Sequence, residues 1–286
     1  MTTQDITMFA GLLFVLLPRE PPRGDRITYS RLTDHTWQIW QRDLASGVDR
    51  QLTRSVFDKR FPGVGPASTV VYHTSSQRPW STGDGGGGPE RPILEELSPV
   101  RDVAVSPDGS RVVFAHPRLG AIESSNIWTA RWEGDDARTV TDDPGLQFQP
   151  AWSPSGDEIA FIGGNGYGTY ELYVAGVDGR TRRRLTENTS REFYPAWSPD
   201  GARIAYSSDA SGDYEIWVIG KDGKNAAQLT RAPGLDSRPT WSPDGRRIAF
   251  TSRRSGGLEI WVMSTDGADQ HRLFDAGAPA CDPSWN

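Results

Sequence analysis

The chain has 286 residues, of which 31 are Gly, 21 are Pro and 11 are Trp, and its formal net charge is −6. The acidic balance argues against nucleic-acid binding, which normally requires a basic surface. A single Cys excludes an internal disulfide framework. The length is compatible with one closed β-domain, and the many Gly and Pro residues are typical of a chain rich in tight turns.

The first 22 residues differ in character from the rest of the chain. They carry a ten-residue apolar run, Met8–Leu17, which is too short to span a bilayer. The run makes a poor signal peptide, because Asp5 and no Lys or Arg stands before it and no small-residue cleavage site follows. Three interpretations of residues 1–22 stay open: a degenerate signal or membrane anchor, an apolar arm packed on the domain or on a partner, and a disordered end.

The remainder of the chain is built from a repeat of about 44 residues. Its clearest copy, Pro195–Thr230, begins with Pro-Ala-Trp-Ser-Pro-Asp-Gly, in which Pro and Gly occupy positions that a type I turn favours. Apolar runs such as Ile204–Tyr206 and Ile216–Val218 follow, and an Asp-Gly pair after them is a strong hairpin signal. Four short antiparallel strands per repeat are typical of one β-propeller blade. The Trp of the motif recurs as Trp152, Trp197, Trp241 and Trp285.

Taken in order, the repeats predict a closed ring. Residues 24–60 match the second, third and fourth strands of a repeat, whereas Pro283–Asn286 match only a first strand. The two segments are therefore predicted to build one blade together, which closes the ring and leaves no exposed sheet edge. The sequence predicts an all-β fold, a six-bladed β-propeller of four-stranded antiparallel blades, over residues 23–286. The other five repeats span residues 61–101, 102–147, 148–192, 193–236 and 237–282.

This pattern of Trp-Ser-Pro-Asp-Gly, Glu-Ile-Trp-Val, Asp-Gly and Leu-Thr resembles the WD40-like repeat of the TolB family. The best copies are Pro195–Thr230 and Pro239–Leu273, and the resemblance extends over about residues 24–286. It implies a six-bladed propeller that binds partners in the periplasm or cell envelope, where TolB serves the Tol–Pal system; the cytoplasm is the alternative location. The sequence contains no counterpart of the N-terminal α/β domain of TolB, which weakens transfer of the Tol–Pal role. Related repeats occur in prolyl-oligopeptidase-like peptidases, and a fold does not fix a function.

Motifs of known catalytic sites are missing from the sequence. There is no Gly-x-Ser-x-Gly elbow and no His-Glu-x-x-His. His73 and His116 follow equivalent strands one position out of register, so they are expected to point to opposite faces. We therefore predict that the chain is not an enzyme. The alternative is a propeller lyase or hydrolase whose site lies at the mouth of the central channel.

One set of positions is a candidate partner-binding surface. The residue just before the Pro of each repeat should ring the channel mouth, because the loops that precede the first strands open on one face. With the position before it, this set offers aromatics, Arg and carboxylates, a composition suited to protein or peptide recognition. The alternative is that these residues only cover strand ends and neighbouring blades. The set comprises Phe61, Asp102, Gln149, Tyr194, Arg238 and Asp282, preceded by Arg60, Arg101, Phe148, Phe193, Ser237 and Cys281.

These positions predict a non-catalytic propeller that binds a protein or peptide partner and acts as an interaction scaffold or accessory subunit. The alternative to a free binding protein is a structural subunit of a membrane-associated assembly, held by residues 1–22. If the ring of positions serves binding alone, replacing Tyr194 and Arg238 by Ala should weaken partner binding and leave the melting temperature nearly unchanged.

A second set lies two positions before each third-strand aromatic. Carboxylates on three consecutive blades could attract a calcium ion or a basic ligand, or could bond loop backbone as residues of the repeat consensus. Hard cations need several converging oxygens, which a sequence cannot establish, so no cofactor is predicted and the three Glu are weak metal candidates. The set comprises Gln38, Arg78, Asn126, Glu171, Glu215 and Glu259.

Overall fold

The computed structural model describes residues 26–65, 68–74, 76, 78–82, 88–118, 124–164 and 168–286. Within these residues, the strands form six four-stranded antiparallel sheets arranged as the blades of a propeller, as the repeats predicted. The apolar run predicted as a signal, anchor or arm in residues 1–22 lies outside the described residues. No helix in the described part is long and apolar enough to cross a membrane.

The strands follow the repeat closely. The first blade contains β1 (Arg26–Thr33), β2 (Thr36–Asp43) and β3 (Asp49–Gln51); the second contains β4 (Lys59–Val64), β5 (Val70–Thr74), β6 (Pro79–Thr82) and β7 (Glu90–Pro92), and a short 3-10 helix, Glu95–Leu97, follows it. The third blade contains β8 (Arg101–Val105), β9 (Val112–Pro117), β10 (Ser125–Ala130) and β11 (Arg138–Thr139); the fourth contains β12 (Leu146–Trp152), β13 (Glu158–Gly164), β14 (Tyr170–Gly176) and β15 (Arg182–Arg184). The fifth contains β16 (Glu192–Trp197), β17 (Arg203–Ser208), β18 (Glu215–Gly220) and β19 (Ala227–Gln228); the sixth contains β20 (Asp236–Trp241), β21 (Arg247–Ser252), β22 (Glu259–Ser264) and β23 (His271–Arg272). The last strand, β24 (Ala280–Trp285), returns to the first blade.

The ring closes through this last strand. β24 pairs antiparallel with β1, with Ile27 opposite Trp285. Arg26 and Asn286 exchange two backbone hydrogen bonds, of 3.0 and 2.9 Å. The prediction that both ends of the repeat region share one blade is therefore confirmed, and the closure removes an exposed sheet edge.

The repeat motif builds the turns and the contacts between blades. In the fifth blade, Ser198 Oγ donates to Asp200 Oδ1 and accepts the backbone N–H of Arg203. The indole of Trp197 packs into the apolar cluster shared with the fourth blade and donates to the carbonyl of Ala151 in that blade, at 3.2 Å. Trp241 makes the equivalent bond to the fifth blade, at 3.1 Å. In the fourth, fifth and sixth blades the motif is thus structural, because its Trp bonds the blade to the preceding one.

The topology places the candidate residues on one face. The first strands of neighbouring blades contact each other around the ring, so they line the central channel. Loops that join a fourth strand to the next first strand, and a second strand to a third, lie on the face that we call the mouth face. The Ser-Pro-Asp-Gly turns lie on the opposite face, since antiparallel strands alternate in direction.

Candidate functional site

The six residues before the repeat Pro positions share an unusual backbone conformation. All have φ between 50° and 60°, in the left-handed region that bulky residues rarely adopt. We expected them in loops ahead of the first strands, but they lie inside the first strands, where the pairing register with the next strand shifts at a bulge. The bulge re-aims the side chain. The set comprises Phe61, Asp102, Gln149, Tyr194, Arg238 and Asp282.

Part of this set serves the neighbouring blade. The backbone N–H of Gln149 donates to Asp102 Oδ2 at 3.1 Å, and that of Tyr194 donates to Gln149 Oε1 at 2.7 Å. Phe61 N–H lies 3.4 Å from Asp282 Oδ2 in the same arrangement. Each acceptor satisfies a backbone donor that the bulge would otherwise leave unpaired. Asp102 and Gln149 therefore each have a hydrogen-bond partner in the next blade.

Arg238 joins opposite sides of the ring. Its Cζ lies 4.0 Å from the ring centroid of Phe61 and 3.7 Å from that of Tyr194, and its Nη2 donates to the Tyr194 hydroxyl at 2.7 Å. Phe61 belongs to the second blade and Tyr194 to the fifth, three positions apart in a ring of six. These three side chains, which we call the mouth stack, bridge the channel mouth through cation–π contacts.

A buried ion triad lies beside the mouth stack. The side chain of Asp282 is 3% exposed, and its oxygens lie 2.7 Å from Arg60 Nε and 2.9 Å from Arg238 Nε. Burial alone would raise the pKa of Asp282, but the two guanidinium groups outweigh it and hold this pKa below its ordinary value. Asp282 is therefore an ionised anchor for both arginines. Arg60 in turn stacks on Trp37, with its Cζ 4.4 Å from the ring centroid.

A cavity of about 330 Å³ opens next to the triad, between the fifth, sixth and first blades. Of the residues expected at the channel mouth, the cavity lining includes Arg60, Phe193, Tyr194, Ser237, Arg238, Cys281 and Asp282. Burial raises the pKa of the Cys281 thiol, so this side chain is a poor nucleophile. The structure thus brings seven of the twelve sequence-based positions together in one cavity.

Tyr214, Leu235 and Leu258 also line the cavity and were not selected from the sequence. Tyr214 and Leu258 stand directly before Glu215 and Glu259, at the end of the loop between second and third strands. Because those loops open on the mouth face, the residue before each member of the second set was a signal that could have found them. Tyr214 contacts Phe193, with ring centroids 5.7 Å apart.

The remaining members of the first set lie outside the cavity lining. Phe148 packs against Phe193 at a centroid distance of 6.0 Å and supports the aromatic wall from behind. Arg101 is exposed at the start of β8. Phe61 is 37% exposed and reaches the site only through the mouth stack.

The three carboxylates of the second set form hydrogen bonds within their own blades. Glu171 accepts from the hydroxyl of Thr186 at 2.6 Å, and Glu215 accepts from the hydroxyl of Thr230 at 2.5 Å. Glu259 accepts from Trp261 Nε1 at 3.1 Å. Each carboxylate lies in its own blade with its own partners. No group of three or more His, Cys, Asp or Glu that could hold a metal occurs among the described residues.

Buried acids also lie between blades. Glu192, at the start of β16, is fully buried; its Oε1 accepts from Asn188 and Ser208, and its Oε2 has no partner within the described residues. Burial raises the pKa of Glu192 to about 7, and the nearby Glu171 carboxylate adds to the effect. Burial likewise raises the pKa of Glu215 to about 7.

The chemistry available at the mouth is mainly recognition. The carboxylate in the cavity lining, Asp282, is engaged by two arginines and has a lowered pKa, so it is a weak general base. His73, which lies near the mouth, uses Nε2 to accept the backbone N–H of Val103 at 3.0 Å. Aromatic walls beside arginines are instead typical of binding surfaces.

Comparison with known proteins gives matches of two kinds. The family described as the TolB beta propeller domain matches residues 81–216 and 171–286, which together make up more than half of the chain. An uncharacterized protein of Agrobacterium fabrum is 32% identical over 156 residues, and this match spans 49% of the chain and 52% of that relative. The matched region is therefore about half the length of this curated relative.

The solved structures share the fold. A protein assigned as TolB from Agrobacterium tumefaciens has a TM-score of 0.75 at 19% identity, with 90% of this chain and 91% of that chain covered. TolB from Acinetobacter baumannii has a TM-score of 0.77 at 22% identity, with 91% and 66% covered. An oligogalacturonate lyase in complex with manganese has a TM-score of 0.61 at 15% identity, with 87% and 73% covered. The repeat motifs, the six-bladed ring and the family match agree: the chain belongs to the TolB beta propeller domain family.

Proposed function

We propose that the chain is a non-catalytic interaction module that binds a protein or peptide partner through the mouth face, with the cavity beside the mouth stack as the central contact. The observation that carries this proposal is the aromatic-walled cavity, which combines Phe193, Tyr194 and Tyr214 with two arginines. Aromatic and Arg side chains dominate the energetics of protein recognition. A cavity of about 330 Å³ also lies within the usual size range of ligand pockets.

Apolar side chains exposed on the same face support the proposal. Val56 and Phe57 are 80% and 54% exposed in the loop between β3 and β4, which joins a fourth strand to the next first strand and so opens on the mouth face. Large apolar side chains clustered on a surface mark interaction sites more often than isolated ones do. A partner seated on the cavity would therefore find further apolar surface toward the second blade.

The test compares two variants of the purified chain as baits. Tyr214→Ser with Leu258→Ser removes part of the apolar wall and leaves the ion triad of Asp282, Arg60 and Arg238 intact, and both positions are partly exposed, so the fold should persist. Arg203→Gln, on the opposite face, is the matched control. Quantitative mass spectrometry should find proteins that wild type and Arg203→Gln capture and the double variant loses. Equal capture by all three would contradict the proposal.

Binding explains the mouth better than catalysis does. Lyases and peptidases among the structural neighbours are similar in fold alone, at 13–20% identity. In this chain the carboxylate in the cavity lining, Asp282, is ion-paired with Arg60 and Arg238, and its lowered pKa makes it a poor proton acceptor. A hydrolase or lyase would instead need an acid or base near its working pKa facing the cavity.

We further propose that the module acts in the periplasm or cell envelope as a scaffold or accessory subunit. Membership in the TolB propeller family supports this location. Cell fractionation of the full chain tests it, and recovery in the cytoplasm alone would contradict it. Deleting residues 1–22 tests whether that segment holds the module in a membrane-associated assembly, because co-purification with the same partners after deletion would rule out that role.

A further inference from the structure

The cavity beside the mouth stack is apolar on one side and cationic on the other. Phe193, Tyr214 and Leu258 contribute to the apolar wall. The charged members of the lining are Arg60, Arg238 and Asp282, and two positive charges against one negative charge leave a net charge of +1. The cavity is thus complementary to a ligand that carries an apolar group next to one negative charge.

The polar groups of the lining are mostly donors. Within the described residues, Nη1 of Arg60 and Nη1 of Arg238 have no hydrogen-bond partner, because the other contacts of these arginines use Nε and Nη2. The hydroxyls of Ser207 and Thr251 each accept a backbone N–H from the neighbouring first strand, at 3.1 and 2.9 Å, so their own hydrogens are available. A ligand group that accepts hydrogen bonds and donates none fits these four positions.

The mouth stack limits how a peptide can enter. Arg238 fills the space between the rings of Phe61 and Tyr194, which lie on opposite blades. A peptide that enters the cavity is therefore blocked by the mouth stack from passing on into the central channel. The volume of about 330 Å³ is near the lower limit for ligand pockets and holds roughly one or two residues. These dimensions favour a chain end over a segment that passes through.

We propose that the cavity binds the C-terminal residue of a partner peptide. The free carboxylate would pair with the Nη1 groups of Arg60 and Arg238, and an apolar side chain would pack on Phe193 and Tyr214. Arginine pairs with carboxylates through charge-assisted hydrogen bonds, and capture of a terminal carboxylate is a known mode of peptide recognition. This proposal rests on the proposed function, since it names the part of the partner that the same site takes.

The experiment changes the ligand and leaves the ion triad intact. The probes are fluorescein-labelled octapeptides of Gly and Ser that end in Ala, Val, Leu or Phe, each made as the free acid and as the C-terminal amide. A third series carries the amide and a Glu next to the last residue, which separates a side-chain carboxylate from a terminal one. Fluorescence polarisation is measured with the full chain, and Tyr214→Ser and Arg203→Gln serve as cavity variant and matched control.

We expect the free acids that end in Leu or Phe to bind, and amidation to weaken binding roughly tenfold or more, because charge-assisted hydrogen bonds are lost. Tyr214→Ser should weaken binding of the free acid, and Arg203→Gln should not. If the amide binds as well as the free acid, or if the Glu-containing amide does, the terminal carboxylate is not what the site recognises. Either result overturns the terminal-carboxylate assignment but leaves peptide binding in place. Absence of binding by every peptide overturns this proposal, and equal capture of proteins by wild type and the Tyr214→Ser/Leu258→Ser variant separately overturns the proposed function.

Discussion

Replacing Arg238 by Ala tests how the channel mouth is held together. The guanidinium of Arg238 lies 2.9 Å from the buried Asp282 carboxylate, donates to the Tyr194 hydroxyl at 2.7 Å and stacks on two aromatic rings. Its loss leaves Arg60, at 2.7 Å, as the one ion-pair partner of Asp282 among the described residues. Removing one partner of a buried ion pair costs about 3–5 kcal/mol. Because Arg60 remains, we expect the free energy of unfolding to fall by about 3 kcal/mol, the lower end of that range.

Urea unfolding at neutral pH, followed by Trp fluorescence, measures this loss. The matched control is Arg203→Ala, whose guanidinium stacks on Trp241 at 4.8 Å and has no ion-pair partner among the described residues. We expect the control to lose about 1 kcal/mol or less. A loss for Arg238→Ala no larger than for the control would refute the reasoning. The expectation from sequence, that Tyr194→Ala with Arg238→Ala leaves the melting temperature nearly unchanged, ignores this buried carboxylate.

The pH dependence of the same pair of variants provides a second check. Burial opposes ionisation of Asp282, but Arg238 and Arg60 lower its pKa in the folded state below the ordinary value. A lowered folded-state pKa contributes stability that is present above the unfolded-state pKa and is lost as the pH falls through the folded-state pKa. The stability difference between wild type and Arg238→Ala should therefore shrink in acid. A difference that stays constant down to strongly acidic pH would show that the ion pair is not its source.

Three further outcomes are expected. Burial raises the pKa of Glu192 to about 7 in the folded state, so the folded protein binds an extra proton and its stability should fall as the pH rises from about 5 to about 8; Glu215, whose pKa is also raised to about 7, contributes to the same fall. Glu192→Gln should make this fall smaller and raise stability at the alkaline end by roughly 1–3 kcal/mol. A profile unchanged by the substitution would contradict the assignment. Deleting residues 280–286 removes β24 and exposes the edge of β1, so size-exclusion chromatography should detect aggregates. A monodisperse product that unfolds cooperatively would show that ring closure is not required for the fold. Gly267 has φ +86°, and a Cβ there would lie 2.8 Å from a backbone oxygen of the preceding blade, whereas Gly212 has φ +109° and open space around it. Gly267→Ala should therefore cost about 1 kcal/mol more in unfolding free energy than Gly212→Ala. Equal costs would argue against this close approach.

The fold was predictable because each copy of the repeat contains the residues that define its own turns and strands. Pro199 and Gly201 define a turn, and Trp197 marks the strand before it, so each copy sets the register of a whole blade. The closing strand followed from a half copy at Trp285. These features depend on residues close in sequence, which is why pattern alone was sufficient.

The candidate site was only partly predictable, because its contacts join positions far apart in sequence. The sequence placed Phe61, Tyr194 and Arg238 at equivalent positions, but equivalence cannot reveal that one of them reaches across to the other two. It also cannot reveal that Asp282 is buried between two arginines. Tyr214 was not predicted because the repeat pattern points to the carboxylate at the next position, Glu215, and not to the residue that ends the loop.

The position of Asp282 has a consequence for the assembly of the molecule during synthesis. Asp282 and Cys281 lie on β24, which pairs with β1, a strand that lies roughly 250 residues earlier in the sequence. A nascent chain that has released only the blades before β24 would possess the aromatic wall of the cavity but neither the carboxylate nor the orientation it gives to Arg60 and Arg238. Binding competence would then appear in one step, when the ring closes. A chain that lacks β24 would not bind its partner. Binding would therefore require that the ring be complete.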